Sequence, residues 1–242
     1  MTTNDVLPGN DVHLGYDELP RLMTLMTGDE KHGSSATSTL DVLWVLYDRV
    51  LRVSPGTLDD PTRDRFLLSK GHGPMAFYAV LAAKGFVPEE WLSDFGSVDS
   101  PLGHHPDRAL IPGVEISSGS LGHGLPLGVG MALGQRAQGF TANADSGSRV
   151  VVLVGDAELD EGTNHEAIAY AGATGLDNLT AVVVDNQSAT HGWPGGVASR
   201  FGVNGWLTHT VDGRDHDAIE AALRATPAGQ PTAVVAVVAP KD

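Results

Sequence analysis

Two oxygen-bearing side chains stand out as candidates for chemistry. Asp156 follows the apolar run Val150-Val151-Val152-Leu153-Val154 after a single glycine, and Asn186 closes a second run, Leu179 to Val184, after Asp185. They lie thirty positions apart, the span of one strand–helix–strand unit. If the two runs are parallel neighbours, both side chains reach the same sheet edge, where open α/β sheets bind ligands. Hard oxygen donors at such a place suit Mg²⁺ or Ca²⁺ holding a phosphate. Asp and Asn also favour turns for local reasons, so the pair alone leaves a turn reading open.

Histidine is the second signal. His32, His72 and His105 each sit in a loop beside glycine or proline, away from any apolar stripe. Imidazoles gathered from separate loops can bind oxygenated substrates and move protons near neutral pH. The bland alternative for any lone histidine is a core position. His13, His209 and His216 lack such context and read as surface residues, and His165 reads as a packing or capping residue on a helix. The acidic cluster Asp156, Glu158, Asp160 and Glu161 reads as favourable negative charge at a helix N-terminus. A paired-carboxylate hydrolase is the weaker alternative, because alternate positions at a turn rarely face one another.

Positioning these residues requires regular elements. Helical spacing is present over Tyr16 to Thr27, and over Leu40 to Val53 after a possible Ser38 cap. Arg65 to Ser69 reads as a short strand, and Pro74 fits the first turn of a helix running to Lys84. A shorter helix is expected over Pro88 to Phe95. Leu125 to Ala137 reads as a small-residue helix with Gly128, Gly130 and Gly134, and glycine costs about 1 kcal/mol against alanine in a helix. Three of them suggest close packing against another helix or a subunit. Glu161 to Gly175 is helix-prone, and Gly192 to Gly196 is a loop. Trp206 to Val211 reads as a strand, Asp215 to Arg224 as a helix, and Thr232 to Val238 as a last buried strand. This alternation predicts an α/β fold with a mostly parallel sheet and helices on both faces. Residues 1–13 read as a flexible arm and 14–242 as a single domain.

Bulk properties narrow the function. The chain has 242 residues and a net charge of −15. That charge argues against nucleic acid and anionic membrane surfaces as partners. It does not argue against a phosphorylated ligand, which a metal and backbone N–H groups can hold. With no cysteine there is neither a disulfide framework nor a thiolate nucleophile. No apolar run reaches membrane-span length, and the N-terminus lacks a signal-peptide pattern, so a cytoplasmic protein is expected.

Together these stretches resemble the thiamine-diphosphate-binding N-terminal half of transketolases, from about Thr27 onward. The resemblance rests on Arg63-Asp64-Arg65-Phe66-Leu67-Leu68-Ser69-Lys70-Gly71-His72-Gly73, on Gly113-Val114-Glu115 through Gly124, and on Gly155 through Asn186. Each motif is moderately specific, and their order and spacing are highly specific. The resemblance implies that Asp156, Asn186 and the Ser188 carbonyl hold Mg²⁺ (or Ca²⁺). It places Gly155, Ala157, Glu158 and Asn186 along the cofactor diphosphate, and Gly119-Ser120-Leu121 beside its thiazolium and pyrimidine. His72 would touch cofactor and substrate, with His105 and His32 as further active-site histidines.

Departures from the family pattern carry meaning. Ala157 stands where the family turn Gly-Asp-Gly has its second glycine. A methyl there is tolerated only if the backbone avoids φ > 0. The family continues past its last strand through a glycine-rich segment with another histidine, which these residues do not include. The glutamate that activates the cofactor belongs, in the family, to a separate pyrimidine-binding domain of the neighbouring subunit. The resemblance therefore implies one subunit of a split enzyme, a two-plus-two heterotetramer moving a two-carbon ketol group from a ketose (phosphate) to an aldose. Two other readings stay open: an α-like subunit of a 2-oxo acid dehydrogenase or another thiamine-dependent carboligase, and a non-catalytic cofactor-binding scaffold.

Overall fold

The computed structural model describes residues 14–26, 37–140 and 147–240. The arm expected over residues 1–13, and His32, lie outside them. The strands are β1 (Arg65–Leu68), β2 (Val150–Gly155), β3 (Leu179–Asp185), β4 (Leu207–Asp212) and β5 (Thr232–Val237). They form one sheet of order β1-β2-β3-β5-β4, and every pairing is parallel. The helices are α1 (Leu19–Leu25), α2 (Leu40–Val45), α3 (Met75–Ala83), α4 (Gly124–Ala137), α5 (Gly162–Ala173), α6 (Gly196–Gly202) and α7 (His216–Arg224).

Successive strand residues point to opposite faces, so continuous apolar strands feed two cores. On one face Phe66, Leu68, Val151, Leu153, Val182 and Val184 pack with α1, α2, α3 and α7. On the other, Leu67, Val150, Val152, Val154, Ala181 and Val183 pack with α4, α5 and α6. The α/β expectation, with helices on both faces of a parallel sheet, is met.

Element ends differ from the sequence reading where local geometry decides. The first helix opens as a 3₁₀ turn, Tyr16–Glu18. The helix expected to reach Val53 ends in a π-helical turn, Leu46–Val50, because Leu51 turns extended. Residues 89–94 form a 3₁₀ helix. Asp215 caps α7 through its side chain, which accepts from the N–H groups of Asp217 and Ala218. In α4, a Cβ on Gly128 would stand 2.4 Å from Val152 Cγ2, so that glycine lets the helix close on the sheet rather than on another helix. Gly130 and Gly134 face open space. No helix among the described residues is long and apolar enough to cross a membrane.

Candidate functional site

Register decides what meets at the carboxyl edge of the sheet. Gly155 lies opposite Val184, so Asp156 and Asn186 leave neighbouring strands at the same edge. Leu68 lies opposite Leu153, which brings the Ser69–Gly73 loop and His72 to that edge too.

Asp156 is buried, and its carboxylate is engaged by the loop after β3. Oδ2 accepts from the N–H groups of Ser188 (2.6 Å) and Ala189 (3.0 Å), and Oδ1 accepts from Ser188 Oγ (2.8 Å). Asp160 accepts from the next two amides, Thr190 and His191, at 3.1 and 3.2 Å. Two carboxylates therefore pin residues 188–191. Gln187, between them and Asn186, has φ 58°, a conformation that costs a side-chain-bearing residue on the order of 1 kcal/mol.

Asn186 is buried as well, yet its Oδ1 has no hydrogen-bond partner. Leaving such an oxygen unsatisfied costs about 1–3 kcal/mol, and a cation would satisfy it. Among the described residues no three His, Cys, Asp or Glu side chains gather as a metal cluster. The donors offered are instead one carboxylate, one amide oxygen and main-chain carbonyls, an oxygen set that suits Mg²⁺ or Ca²⁺.

Ala157 opens a 3₁₀ turn, Ala157–Asp160. Gln187 is the one non-glycine residue with positive φ among those described, so the Ala157 methyl sits on ordinary backbone. Glu158 turns inward and is 2% exposed. Its carboxyl accepts from Ser69 Oγ, from Gly122 N–H at 3.0 Å and from Gly155 N–H at 3.3 Å. Ser69 Oγ in turn accepts from Gly124 N–H at 3.0 Å. One buried carboxyl thus ties the end of β1, the loop before α4 and the end of β2. Burial pushes its pKa up, against the pull of those hydrogen bonds and of nearby Lys70. Lys70 is also buried, and its stem lies against Gly155, where a Cβ would stand 3.2 Å from Lys70 Cδ. Neither the inward turn of Glu158 nor the buried Lys70 was legible in the sequence.

The glycine–serine segment joins the same edge. A Cβ on Gly71 would collide with Ser118 Oγ at 2.1 Å. Gly119 has φ 116°, and a Cβ there would lie 3.1 Å from the His105 ring. The His72 loop, Gly119-Ser120-Leu121 and His105 therefore form one continuous group. Ser120, Leu121 and His105 are exposed and His72 is half-buried. Ser120 Oγ lies 2.9 Å from His123 Nδ1.

Two other histidines have structural settings. His165 packs on α5 against Arg200 and the Trp193 ring, and burial together with Arg200 lowers its pKa. His216, expected at the surface, has a side chain only 19% exposed, and its Nε2 lies 2.8 Å from Asp41 Oδ1. Burial alone would raise the pKa of Asp41. Hydrogen bonds from Tyr16, Arg214 and His216 outweigh it and hold that carboxyl below its usual range.

The architecture and this constellation agree with what comparison with known proteins finds. Residues 24–238 match the family described as transketolase, thiamine diphosphate binding domain. The chain belongs to this family. One relative is the first of the separately encoded subunits of apulose-4-phosphate transketolase from Actinobacillus succinogenes. It is 34% identical, over 94% of this chain and 86% of that protein. A protein of Rhodococcoides fascians named ferredoxin fas2 is 56% identical, over 92% of this chain and 72% of that protein. A transketolase structure from Pichia stipitis superposes with a TM-score of 0.76 at 26% identity, covering 94% of this chain and 36% of that one. The transketolase resemblance read from the sequence is thereby borne out, with thiamine diphosphate as the family's cofactor.

Proposed function

We propose that this chain is the diphosphate-binding subunit of a split, thiamine-diphosphate-dependent transketolase of the cytoplasm. It moves a two-carbon ketol group from a ketose or ketose phosphate to an aldose. The observation that carries this reading is its alignment with nearly the full length of a protein that is itself named as one subunit of a transketolase. The partner would be a pyrimidine-binding subunit, in a two-plus-two heterotetramer. The ferredoxin name of the Rhodococcoides relative does not transfer, since cysteine thiolates hold iron–sulfur clusters and these residues include no cysteine.

The chain's own residues have distinct tasks. Asp156, Asn186 and the Ser188 carbonyl would hold Mg²⁺ (or Ca²⁺), and the orphaned Asn186 oxygen supports that assignment. Gly155, Ala157, Glu158 and Asn186 would line the diphosphate, with Glu158 fixing the surrounding loops through its hydrogen bonds and Lys70 adding positive charge nearby. Gly119, Ser120 and Leu121 would line the ring portion of the cofactor. Bound thiamine diphosphate supplies an electron sink for breaking the C2–C3 bond of the ketose. His72 and His105, together with His32 from outside the described residues, would orient substrate hydroxyls and carry protons.

Co-expression with a pyrimidine-domain protein, followed by assay of xylulose 5-phosphate with ribose 5-phosphate, tests the proposal. Turnover by the mixture, and none by either component in isolation, is expected. Activity confined to pyruvate-like acids would replace it with the 2-oxo acid reading. Calorimetry showing no binding of thiamine diphosphate and Mg²⁺ even with the partner present would leave the scaffold reading.

A further inference from the structure

The opposite edge of the sheet holds a concentration of arginines that the cofactor reading does not use. Arg63 and Arg65 stand where β1 begins, and Arg65 is opposite Val150, the first residue of β2. Asp156 follows the far end of that strand. Six residues at about 3.3 Å each place the two ends roughly 20 Å apart.

Two adjoining cavities open at this edge. One, of about 460 Å³, is lined by Arg63, Arg65, Arg108 and Glu115 with apolar walls that include Leu58 and Ile111. The second, of about 370 Å³, shares Arg65, Arg108 and Glu115 and adds Met131 and Phe140. Both volumes fall in the range of small-molecule sites. Three guanidinium groups meet one carboxylate here, in a chain whose net charge is −15.

The charges are unevenly matched. Glu115 is buried and takes Arg63 directly, with Arg65 NH1 at 3.4 Å. Arg63 also donates to the Leu58 carbonyl at 2.8 Å. These contacts hold two guanidinium groups in place. The Arg108 guanidinium has no ion pair or hydrogen bond among the described residues; only its main-chain N–H is engaged, with Ser117 Oγ at 3.0 Å. The neighbouring Asp107 carboxylate is turned to Ala109 N–H and Ser117 Oγ. A planar cationic fork beside a second arginine, over apolar walls, fits an oxyanion attached to a compact carbon skeleton.

We propose that the Arg65–Arg108 cavity binds the oxyanion group of a small metabolite, a phosphate ester or a carboxylate, at a site separate from the cofactor edge. The site is independent of the cofactor assignment.

Thermal-shift and calorimetric titrations of the full chain with inorganic phosphate, and in parallel with citrate, test this, with ionic strength held constant by sodium chloride. At least one anion should raise the melting temperature saturably. R108A should weaken that binding roughly tenfold or more, as loss of a charge-assisted contact does, and R108E should abolish it. Because Arg108 is exposed and unpaired, both variants should keep the wild-type circular dichroism spectrum. N186A, at the cofactor edge, should bind the anion as wild type does. Response to phosphate alone marks a phosphate-ester site, and response to citrate alone marks a carboxylate site. Equal responses in wild type and R108A, a shift reproduced by chloride, loss of the response in N186A, or no shift with either anion would overturn the proposal.

Discussion

At the residue scale the site is a contrast between a carboxylate with three donors and an amide oxygen with none. Asp156 is satisfied by Ser188 and Ala189, while Asn186 Oδ1 is buried without a partner. Asn186→Leu, which removes the orphan at similar volume, should therefore stabilise the metal-free chain by about 1 kcal/mol. The same variant should lose the rise in melting temperature that Mg²⁺ with thiamine diphosphate gives wild type. A variant that still shifts with the metal would remove Asn186 from the ligand set.

Glu158 gives a second residue-scale expectation. Its folded pKa is raised, so the proton binds more tightly in the folded chain. The stability this contributes is present below the ordinary carboxylate pKa of about 4.3 and is lost as pH rises through the raised value. Paired urea melts of wild type and Glu158→Gln should show the wild-type advantage greatest in acid and shrinking toward neutral pH. A difference that grows with pH would contradict the burial argument.

Asp156 and Asn186 were legible in sequence because each terminates an apolar run. Glu158 was not. Alternation at a turn cannot say which carboxylate folds inward, since that depends on donors from Ser69 and Gly122, 89 and 36 positions away.

At the element scale, the strands were legible because apolar runs bounded by polar turns are unambiguous when short. Helix α6 was not anticipated. It begins at Gly196 after a left-handed Gly195, inside a stretch that reads as loop. One of its buried residues is Arg200, which breaks the apolar stripe that would announce a helix. The glycines of α4 divide by surroundings rather than by helix position. Gly128→Ala should destabilise by about 1–3 kcal/mol, because the new methyl meets Val152 in a packed core. Gly130→Ala meets nothing and should stabilise the isolated chain by up to about 1 kcal/mol. If this face seats the partner, as the small-residue pattern suggested, Gly130→Ala should also weaken assembly. Chemical denaturation of both variants and a pull-down with the partner check the two signs and the coupling.

At the scale of the whole molecule, parallel order and register deliver motifs from three widely separated stretches to one edge. The sequence shows the motifs and their order; the sheet supplies the adjacency. What the sequence could not show is the arginine-lined cavity at the opposite edge, because Arg63, Arg65, Arg108 and Glu115 are joined only by folding. Native mass spectrometry of a co-expressed pair should report two copies of each protein, and removal of Mg²⁺ and cofactor should shift the population toward smaller species. A one-to-one complex at all concentrations would contradict the two-plus-two arrangement.

The sheet's two flanks bear on how such a chain survives before it is partnered. Flank β1 has four residues and opens on an arginine. Flank β4 is half-exposed and carries Thr208, His209, Thr210 and Asp212. Short length and polar side chains are what discourage strands of separate molecules from zipping together. With a strongly negative surface adding mutual repulsion, the chain is built to stay dispersed during the interval between its synthesis and its meeting with a partner.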